Sequence, residues 1–268
     1  IIDYTLSNCV NSGVRRIGVA TQYKAQSLIR HLQRAWSFLD GRFSEFVDIM
    51  PAQQQVEENW YKGTADAVFQ NLDAIRYNRP EYVLVLSGDH VYKMDYCRML
   101  EFHGVKGAIA TAGAVVVPIE QASAFGVLGV DESWRIVSFA EKPRDPQPIP
   151  GRPDRALVNM GVYCFETEAL VRALCADARQ ETRHDFGHDV LPALVGTGKL
   201  FAYPFVDENR KETAYWRDIG TLDAYYEANM DLCRVNPEFN LYDPEWPLRT
   251  AQPQAPPTKF VFAQEGRR

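Results

Sequence analysis

The sequence has no excess of positive charge and no long apolar run. Its 268 residues hold 29 Lys and Arg against 35 Asp and Glu, which gives a net charge of -6 at neutral pH. A binder of nucleic acid needs a basic surface, so we expect no nucleic-acid partner, although single Lys or Arg residues can still hold phosphates. No stretch approaches the roughly 20 apolar residues of a membrane span, and no secretory signal is visible at the start. We therefore expect a cytoplasmic protein without a membrane partner.

Cysteine is also scarce and scattered. The five cysteines are odd in number, and none forms a Cys-x-x-Cys pair. This pattern favours reduced thiols and indicates neither a zinc site nor a disulfide framework. The sequence also lacks an internal repeat and a low-complexity run. What it does have is 46% apolar residues, enough for one large α/β domain or two smaller ones.

The stretch EYVLVLSGDH, Glu81–His90, is the clearest structural signal in the chain. Its short apolar run lies between Pro80 and Gly88 and predicts a fully buried strand, which is typical of a parallel sheet with helices on both faces. In such sheets ligands bind beyond the carboxyl ends of the strands, where Asp89 stands. The alternative is a turn aspartate that bonds its own backbone.

The order of the elements predicts the fold class. The strand at residues 15–21 precedes a helix with an apolar face over residues 25–39, and this βα alternation continues to a predicted helix at 221–235. Such alternation indicates an α/β fold. We predict one domain over residues 1–235, followed by a linker over the proline-rich residues 236–268.

A second helix is predicted to open at Gly63 and Thr64 and to run directly toward the central strand. Thr64 is a suitable N-cap, and Ala65, Val68, Leu72 and Ile75 would share its buried face. A Gly-Thr pair at a helix N-terminus also predicts a nucleotide contact. An ordinary capped helix explains the same residues.

Four short patterns carry the chemistry: ENWYKGTADAV, LSGDH, FAEKP and YWRDIGT. Asp89 and Asp218 each follow an apolar run, so both are expected at one sheet edge. Two carboxylates can hold Mg²⁺ while phosphates complete its octahedron. Glu141 and Lys142 pair a hydroxyl acceptor with a phosphate-binding cation, which suits a sugar phosphate. A solvated charge pair is the other reading of these two residues, and core packing is the alternative for Trp216.

In combination these patterns resemble the sugar-1-phosphate nucleotidyltransferases, and among them the bacterial glucose-1-phosphate adenylyltransferase group. The resemblance covers nearly the whole chain and includes SGDHVYKMDY, ASAFGV, NMGVY, HDFGHDVLP and YWRDIGTLDAYYEANMDL. It implies a Rossmann-like (GT-A-like) domain with a mostly parallel mixed central sheet flanked by helices. It also implies ATP and glucose 1-phosphate as substrates, Mg²⁺ as cofactor, allosteric effectors and a homotetramer in the full-length protein.

The resemblance gives each matching residue an expected role. Asp89 would bind the catalytic Mg²⁺, and Asp218 would assist at the same ion. Glu141 would contact the sugar hydroxyls and Lys142 the phosphate. The other expected contacts are with the sugar nucleotide, through Tyr61, Gly126, Asn159 and Trp216, and with the nucleotide, through Gln54, Gly63 and Thr64.

The chain departs from the family pattern at several points. Asn159 stands where bacterial members often carry Ser, and Gln55 where many carry Arg. The family's Gly-rich triphosphate loop does not precede Ile1, and its C-terminal left-handed β-helix does not follow Arg268, so we expect the fragment alone to be inactive. Three alternatives stay open: a non-catalytic regulatory subunit, a nucleotidyltransferase for another base or sugar, and a plain nucleotide-binding module.

Overall fold

The structure is a computed structural model that describes residues 1–52, 60–211 and 214–257. The first half of the chain forms, in order, α1 (Ile2–Asn11), β1 (Arg16–Thr21), α2 (Gln26–Ala35), β2 (Phe46–Pro51), α3 (Thr64–Phe69), α4 (Leu72–Asn78), β3 (Tyr82–Leu86), β4 (His90–Tyr92), α5 (Tyr96–Lys106) and β5 (Ala110–Pro118). The second half forms β6 (Gly126–Val130), β7 (Ile136–Glu141), β8 (Arg155–Glu166), α6 (Thr167–Asp177), a π-helical turn (Phe186–Val190), α7 (Leu191–Leu194), β9 (Leu200–Pro204), β10 (Trp216–Asp218) and α8 (Leu222–Leu232).

The central sheet has six strands in the order β7-β6-β8-β5-β9, with β3 also paired to β8. Among the strand pairs described in this sheet, only β5 with β9 is parallel, and the other four pairs are antiparallel. The prediction of an α/β fold with a mixed sheet is therefore confirmed, while its mostly parallel character is wrong. The pair β1–β2 is parallel and the pair β4–β10 is antiparallel, each outside the large sheet.

The strand β8 shows how helices cover both faces of the sheet. Its side chains alternate between two apolar cores, because successive residues of a strand point to opposite faces. Val158 and Met160 lie in the core that includes residues of α1, α2 and α5. Leu157 and Phe165 lie in the core that includes residues of α3, α6 and the π-helical turn.

The predicted central strand exists as β3, but two of its expected properties are wrong. All five residues are half-buried rather than fully buried. The strand runs antiparallel to β8, with Tyr82 opposite Glu166 and Leu86 opposite Val162. A short apolar run indicates a strand, but it specifies neither the direction of the partner strand nor how completely each side chain is covered.

A local irregularity where β5 pairs with β8 shapes the region beyond β3. The register moves from Ala112 opposite Tyr163 to Ala114 opposite Asn159, so β8 has extra residues at this point. Gly161 lies within the extra length at a φ of 66°, a left-handed conformation that favours glycine. Its carbonyl accepts a hydrogen bond from the Ser87 amide at 3.2 Å. The irregularity therefore brings β8 against the chain that follows β3.

The helix predicted to open at Gly63 and Thr64 is broken into α3 and α4 at Gln70 and Asn71. The N-cap of α3 is Gly63, and Thr64 is the first helical residue, so the predicted cap is one residue late. The His184 carbonyl accepts the Ala65 amide at 2.8 Å and the Asp66 amide at 3.3 Å. The first amides of α3 are thus satisfied from within the protein.

Residues 236–257 contain no helix or strand, as the linker prediction requires, but part of this segment packs on the domain. Phe239 is completely buried. Trp246 donates its indole N–H to Asn8 Oδ1 at 2.8 Å, and Asn8 also donates to the Tyr92 carbonyl at 3.1 Å. We call residues 236–250 the strap. It joins α1 to β4 rather than hanging free.

Among the described residues, no helix has the length and apolar character needed to cross a membrane.

Candidate functional site

Asp89 and Asp218 lie together, as the sequence predicts, but not at an edge of parallel strands. They are joined by the antiparallel pair β4–β10, in which Asp218 stands opposite His90. The Ile219 amide donates to the Asp89 carbonyl at 3.3 Å and extends the pairing. One ligand atom each from Asp89, His90 and Asp218 lies within 4.8 Å of the others. We call these three residues the carboxylate cluster.

His90 is the buried member of the carboxylate cluster. Its side chain is 9% exposed against 60% for Asp89, and its Nε2 lies 3.5 Å from Asp89 Oδ1. Burial lowers the pKa of His90, while Asp89, Asp218 and the Met160 backbone oppose this shift. The neutral imidazole, which has a lone pair for a metal, is therefore favoured.

The donor set fits a divalent cation. Asp218 uses Oδ1 to accept the Gly220 amide at 2.9 Å, which holds the carboxylate in place beside β4. Both carboxylates are exposed, so an ion and the phosphates that it carries have access to them. Oxygen ligands of this kind suit Mg²⁺ or Mn²⁺.

Trp216 connects the carboxylate cluster to a second group of predicted residues. Its ring packs against His90 at 5.2 Å and against Phe125 at 5.3 Å, both edge to face. Phe125 precedes Gly126, and its carbonyl accepts the Lys142 amide at 3.0 Å. The core-packing alternative for Trp216 is thus partly correct, yet its buried Nε1 has no hydrogen-bond partner among the described residues.

Gly126 and Glu141 are opposite each other in the β6–β7 pair. A Cβ at Gly126 would lie 2.7 Å from Glu141 Oε2 and 2.8 Å from Phe139 Cζ, so only glycine leaves room for these side chains. Lys142 follows in a left-handed conformation with a φ of 47°, and its side chain is exposed. The chain turns at Lys142, so the carboxylate of Glu141 and the ammonium group of Lys142 belong to neighbouring residues at this turn.

Asn159 lies on β8 beside the irregularity and contacts a residue that the sequence did not suggest. Its Nδ2 donates to the Tyr163 hydroxyl at 2.7 Å. Burial raises the pKa of Tyr163, and the negative charges of Asp185 and Glu141 raise it further. Tyr163 and Asp185 therefore join Asn159 and Glu141 in one polar group.

Asp185 ties Thr64 to this polar group. The Thr64 hydroxyl donates to Asp185 Oδ2 at 2.9 Å, and the Gly187 and His188 amides donate to Asp185 Oδ1. Burial acts to raise the pKa of Asp185, but these hydrogen bonds outweigh it and the pKa is lowered. A Cβ at Gly187 would lie 3.3 Å from Asp185 Oδ1 and 3.5 Å from Glu141 Oε2, which shows how close the two carboxylates are.

The nucleotide contact predicted at Gly63 and Thr64 stays a prediction. The amides that follow them bind the His184 carbonyl, and the Thr64 hydroxyl binds Asp185. His184 is itself held in place, because its Nδ1 lies 2.8 Å from Asp177 Oδ2. In this structure the first amides of α3 and the Thr64 hydroxyl are therefore paired within the protein.

Tyr61 is placed apart from the other predicted residues. Its hydroxyl donates to the Met50 carbonyl at 3.3 Å and accepts from Asn71 Nδ2 at 3.0 Å. It lines a cavity of about 310 Å³ between β2 and the start of α4. Gln54, a predicted nucleotide contact, and Gln55, a predicted departure from the family pattern, lie outside the described residues.

Sequence reasoning did not assign roles to His90, Tyr163 and Asp185. His90 and Asp185 stand inside the quoted patterns LSGDH and HDFGHDVLP, so the signal was present without a role. Tyr163 stands inside the quoted pattern NMGVY, where it looks like an ordinary strand residue, and its hydrogen bond to Asn159 marks it.

The arrangement defines a class of protein. Two carboxylates beside the β4–β10 pair lie near Trp216, and Trp216 packs on Phe125, whose carbonyl accepts the Lys142 amide at the turn after β7. Two carboxylates near an acceptor and a cation suit a protein that binds phosphorylated substrates together with a divalent cation.

The chain belongs to the nucleotidyl transferase family, whose profile matches residues 1–235. It is 57% identical over 268 residues to glucose-1-phosphate adenylyltransferase 2 of Alkalilimnicola ehrlichii, covering all of this chain and 64% of that relative. It is 57% identical over 274 residues to glucose-1-phosphate adenylyltransferase of Nitrosomonas europaea, with 63% of the relative covered. Its identity to the enzyme of the same name from Paramagnetospirillum magneticum is 56% over 275 residues, again with all of this chain and 64% of the relative covered. The chain thus spans less than two thirds of the length of these relatives.

Proposed function

We propose that this chain is the catalytic part of an enzyme that forms ADP-glucose and pyrophosphate from ATP and glucose 1-phosphate, the committed step of glycogen synthesis. The observation that carries the proposal is the meeting of Asp89 and Asp218, which Trp216 and Phe125 connect to the turn at Glu141 and Lys142. The similarity to three glucose-1-phosphate adenylyltransferases supports glucose 1-phosphate and an adenine nucleotide as the proposed substrates.

The reaction is an in-line displacement in which a phosphate oxygen of glucose 1-phosphate attacks the α-phosphorus of ATP and pyrophosphate leaves. The protein contributes mainly position and charge. Lys142 binds the phosphate of glucose 1-phosphate, and Glu141 accepts hydrogen bonds from the sugar hydroxyls. The other proposed contacts with the sugar come from Gly126, Asn159 and Trp216. The proposed contacts with the nucleotide come from Gln54, Tyr61, Gly63 and Thr64.

Mg²⁺ is the proposed cofactor, and Asp89 and Asp218 are the residues that would hold it. When bound, it would neutralise charge on the phosphate oxygens during transfer. The chain's own part is to keep the two carboxylates in register through the β4–β10 pair, and Gly220 fixes the orientation of Asp218.

The proposal extends to the whole protein. Residues 1–235 form the catalytic domain, and residues 236–268 lead toward a further domain. We propose a cytoplasmic homotetramer that responds to effector metabolites. A non-catalytic regulatory subunit is the competing function, and the retention of both aspartates together with Glu141 and Lys142 argues against it.

The test is pyrophosphate release by the full-length protein that contains this chain. We expect Mg²⁺-dependent release with ATP and glucose 1-phosphate, and little with dTTP, GTP or other sugar phosphates. Release with another pair of substrates would replace the proposed specificity. No release from a folded full-length protein would favour the regulatory subunit.

A further inference from the structure

His90 is a buried histidine that uses little of its hydrogen-bonding capacity, although the Met160 backbone acts on its ring. Its Nδ1 has no hydrogen-bond partner among the described residues, although its side chain is only 9% exposed. Buried polar groups are nearly always paired, so an unpaired one needs an explanation. The other ring nitrogen, Nε2, faces Asp89 Oδ1 at 3.5 Å, which is long for a hydrogen bond.

The imidazole ring is confined where it stands. The rings of Tyr92 and Trp216 meet it edge to face at 6.5 Å and 5.2 Å. On another side Gly161 approaches so closely that an added Cβ would lie 3.3 Å from His90 Cε1. The ring is therefore held at the inner side of the carboxylate cluster chiefly by packing.

Confinement of this kind is what a metal ligand requires, because the ion needs a ligand already in place. The three candidate ligand atoms lie within 4.8 Å of one another, which allows one ion to contact all three. Imidazole nitrogen binds Co²⁺ and other later transition ions well, whereas Mg²⁺ prefers oxygen. A nitrogen at this site would therefore change which ion binds best.

We propose that His90 is a third ligand of the cation site, so that the site binds Co²⁺ and Mn²⁺ more tightly than an all-oxygen site would. The inference rests on the proposed cation site and adds to it a nitrogen that discriminates among metals. Under Mg²⁺ alone the two carboxylates suffice, and His90 contributes little.

The first measurement needs no substitution. Mn²⁺ added to the full-length protein is examined by pulsed electron paramagnetic resonance, which detects nitrogen bound to the ion through its modulation of the echo. We expect nitrogen modulation typical of imidazole. Mn²⁺ bound at the carboxylates without nitrogen modulation would overturn the inference.

The second measurement compares ions. Co²⁺ affinity is measured by visible absorption, and Mg²⁺ affinity by competition, for the wild type and the variant His90→Asn. We expect Co²⁺ affinity to fall by about tenfold or more, the scale on which residues supporting a metal site act. Mg²⁺ affinity should change less than about threefold. Equal losses for both ions, or no loss of Co²⁺ affinity, would contradict a ligand role.

Two controls separate this inference from the proposed function. Asp89→Asn and Asp218→Asn should each weaken the binding of both Co²⁺ and Mg²⁺. If neither variant does, the proposed cation site itself is wrong. If they do while His90→Asn binds Co²⁺ like the wild type, only the role of His90 fails. His188→Asn, a change at a half-exposed histidine outside the cluster, should leave both affinities unchanged. A thermal melt confirms that each variant is folded. If His90→Asn does not fold, the nitrogen modulation measured on the wild type decides whether His90 binds the ion.

Discussion

The ammonium group of Lys93 lies 3.2 Å from Asp243 Oδ2, and the lysine side chain is fully buried. Lys93 follows β4, and Asp243 belongs to the strap. Burial lowers the pKa of Lys93, while the hydrogen bond and charge of Asp243 oppose the shift. The pair therefore fixes the strap to the strand that carries His90.

The first prediction concerns this pair. Asp243→Asn keeps the acceptor for the Glu245 amide but leaves the buried Lys93 charge without its partner. We expect a loss of roughly 3 kcal/mol in the free energy of unfolding, at the low end for buried pairs because Asp243 is partly exposed. Urea unfolding measures it. Glu168→Gln breaks the exposed pair with Arg172 and should cost less than about 0.5 kcal/mol. Equal costs would show that the strap is not held by Lys93.

The second prediction concerns the cation site. In the full-length enzyme, Asp89→Asn should lower kcat by roughly 10²–10³-fold, because one key electrostatic group is lost. Asp154→Asn, a change at an exposed carboxylate paired with Arg155, should have no such effect. A near-normal kcat for Asp89→Asn would refute the metal role of Asp89.

The third prediction separates binding from chemistry. Lys142→Ala removes the exposed cation that is proposed to hold the sugar phosphate. The KM for glucose 1-phosphate should rise while the KM for ATP changes little, since only one substrate loses its partner. Lys199→Ala, at another exposed lysine, is the matched control. An unchanged KM for glucose 1-phosphate would remove Lys142 from the sugar site.

The fourth prediction concerns Gly63. A Cβ there would lie 2.3 Å from the carbonyl oxygens of both Arg183 and His184, so the backbone contact that caps α3 must open. We expect Gly63→Ala to destabilise the chain by about 1–3 kcal/mol, the usual range for overpacking. Gly104→Ala, inside α5 with open space around it, should instead be neutral or stabilising by up to about 1 kcal/mol. Thermal melts of both variants test the contrast.

The fifth prediction concerns alkaline pH. Burial raises the pKa of Cys9 and of Tyr215 to about 12, and Asp231 adds to the shift of Tyr215. In the unfolded chain these groups titrate near about 8.5 and 10. The unfolded state therefore releases protons first as the pH rises. The stabilisation is complete below about pH 8.5 and is lost as the pH approaches 12.

Urea unfolding at a series of pH values from 8 to 11 checks this. Cys9→Ala lowers the stability at pH 8 because it leaves a cavity, but its decline with pH should be shallower between about 8.5 and 10. A decline as steep as that of the wild type would show that Cys9 does not carry the effect.

Local features of the fold followed from the sequence well. The apolar residues Leu6, Cys9 and Val10 before Asn11-Ser12-Gly13 predict a short helix that a glycine terminates. In the structure α1 ends at Asn11, Gly13 has a φ of 75°, and the amides of Gly13 and Val14 bind the carbonyls of Val10 and Cys9. This is the Schellman arrangement that a glycine after a helix predicts. Such signals depend on neighbours in sequence, so a single sequence contains them.

Long-range relationships did not follow. Asp89 and Asp218 were expected together at an edge of parallel strands, and they do meet, but through an antiparallel pair that the apolar patterns do not encode. The link from Thr64 to Asp185 spans 121 residues and needed the folded chain. Residues 236–268 are predicted as a linker because their composition is that of a loop, although Phe239 and Trp246 give this segment buried anchors.

The β4–β10 pair also sets when the proposed cation site can exist during synthesis. Its two strands are separated by more than a hundred residues, and domains fold largely as units once they have emerged. At ribosomal rates the ribosome needs on the order of ten seconds to travel from Asp89 to Asp218. Throughout that interval the nascent chain displays Asp89 without its partner. A growing chain therefore cannot capture its cation early, and metal binding reports that nearly the whole domain has been made.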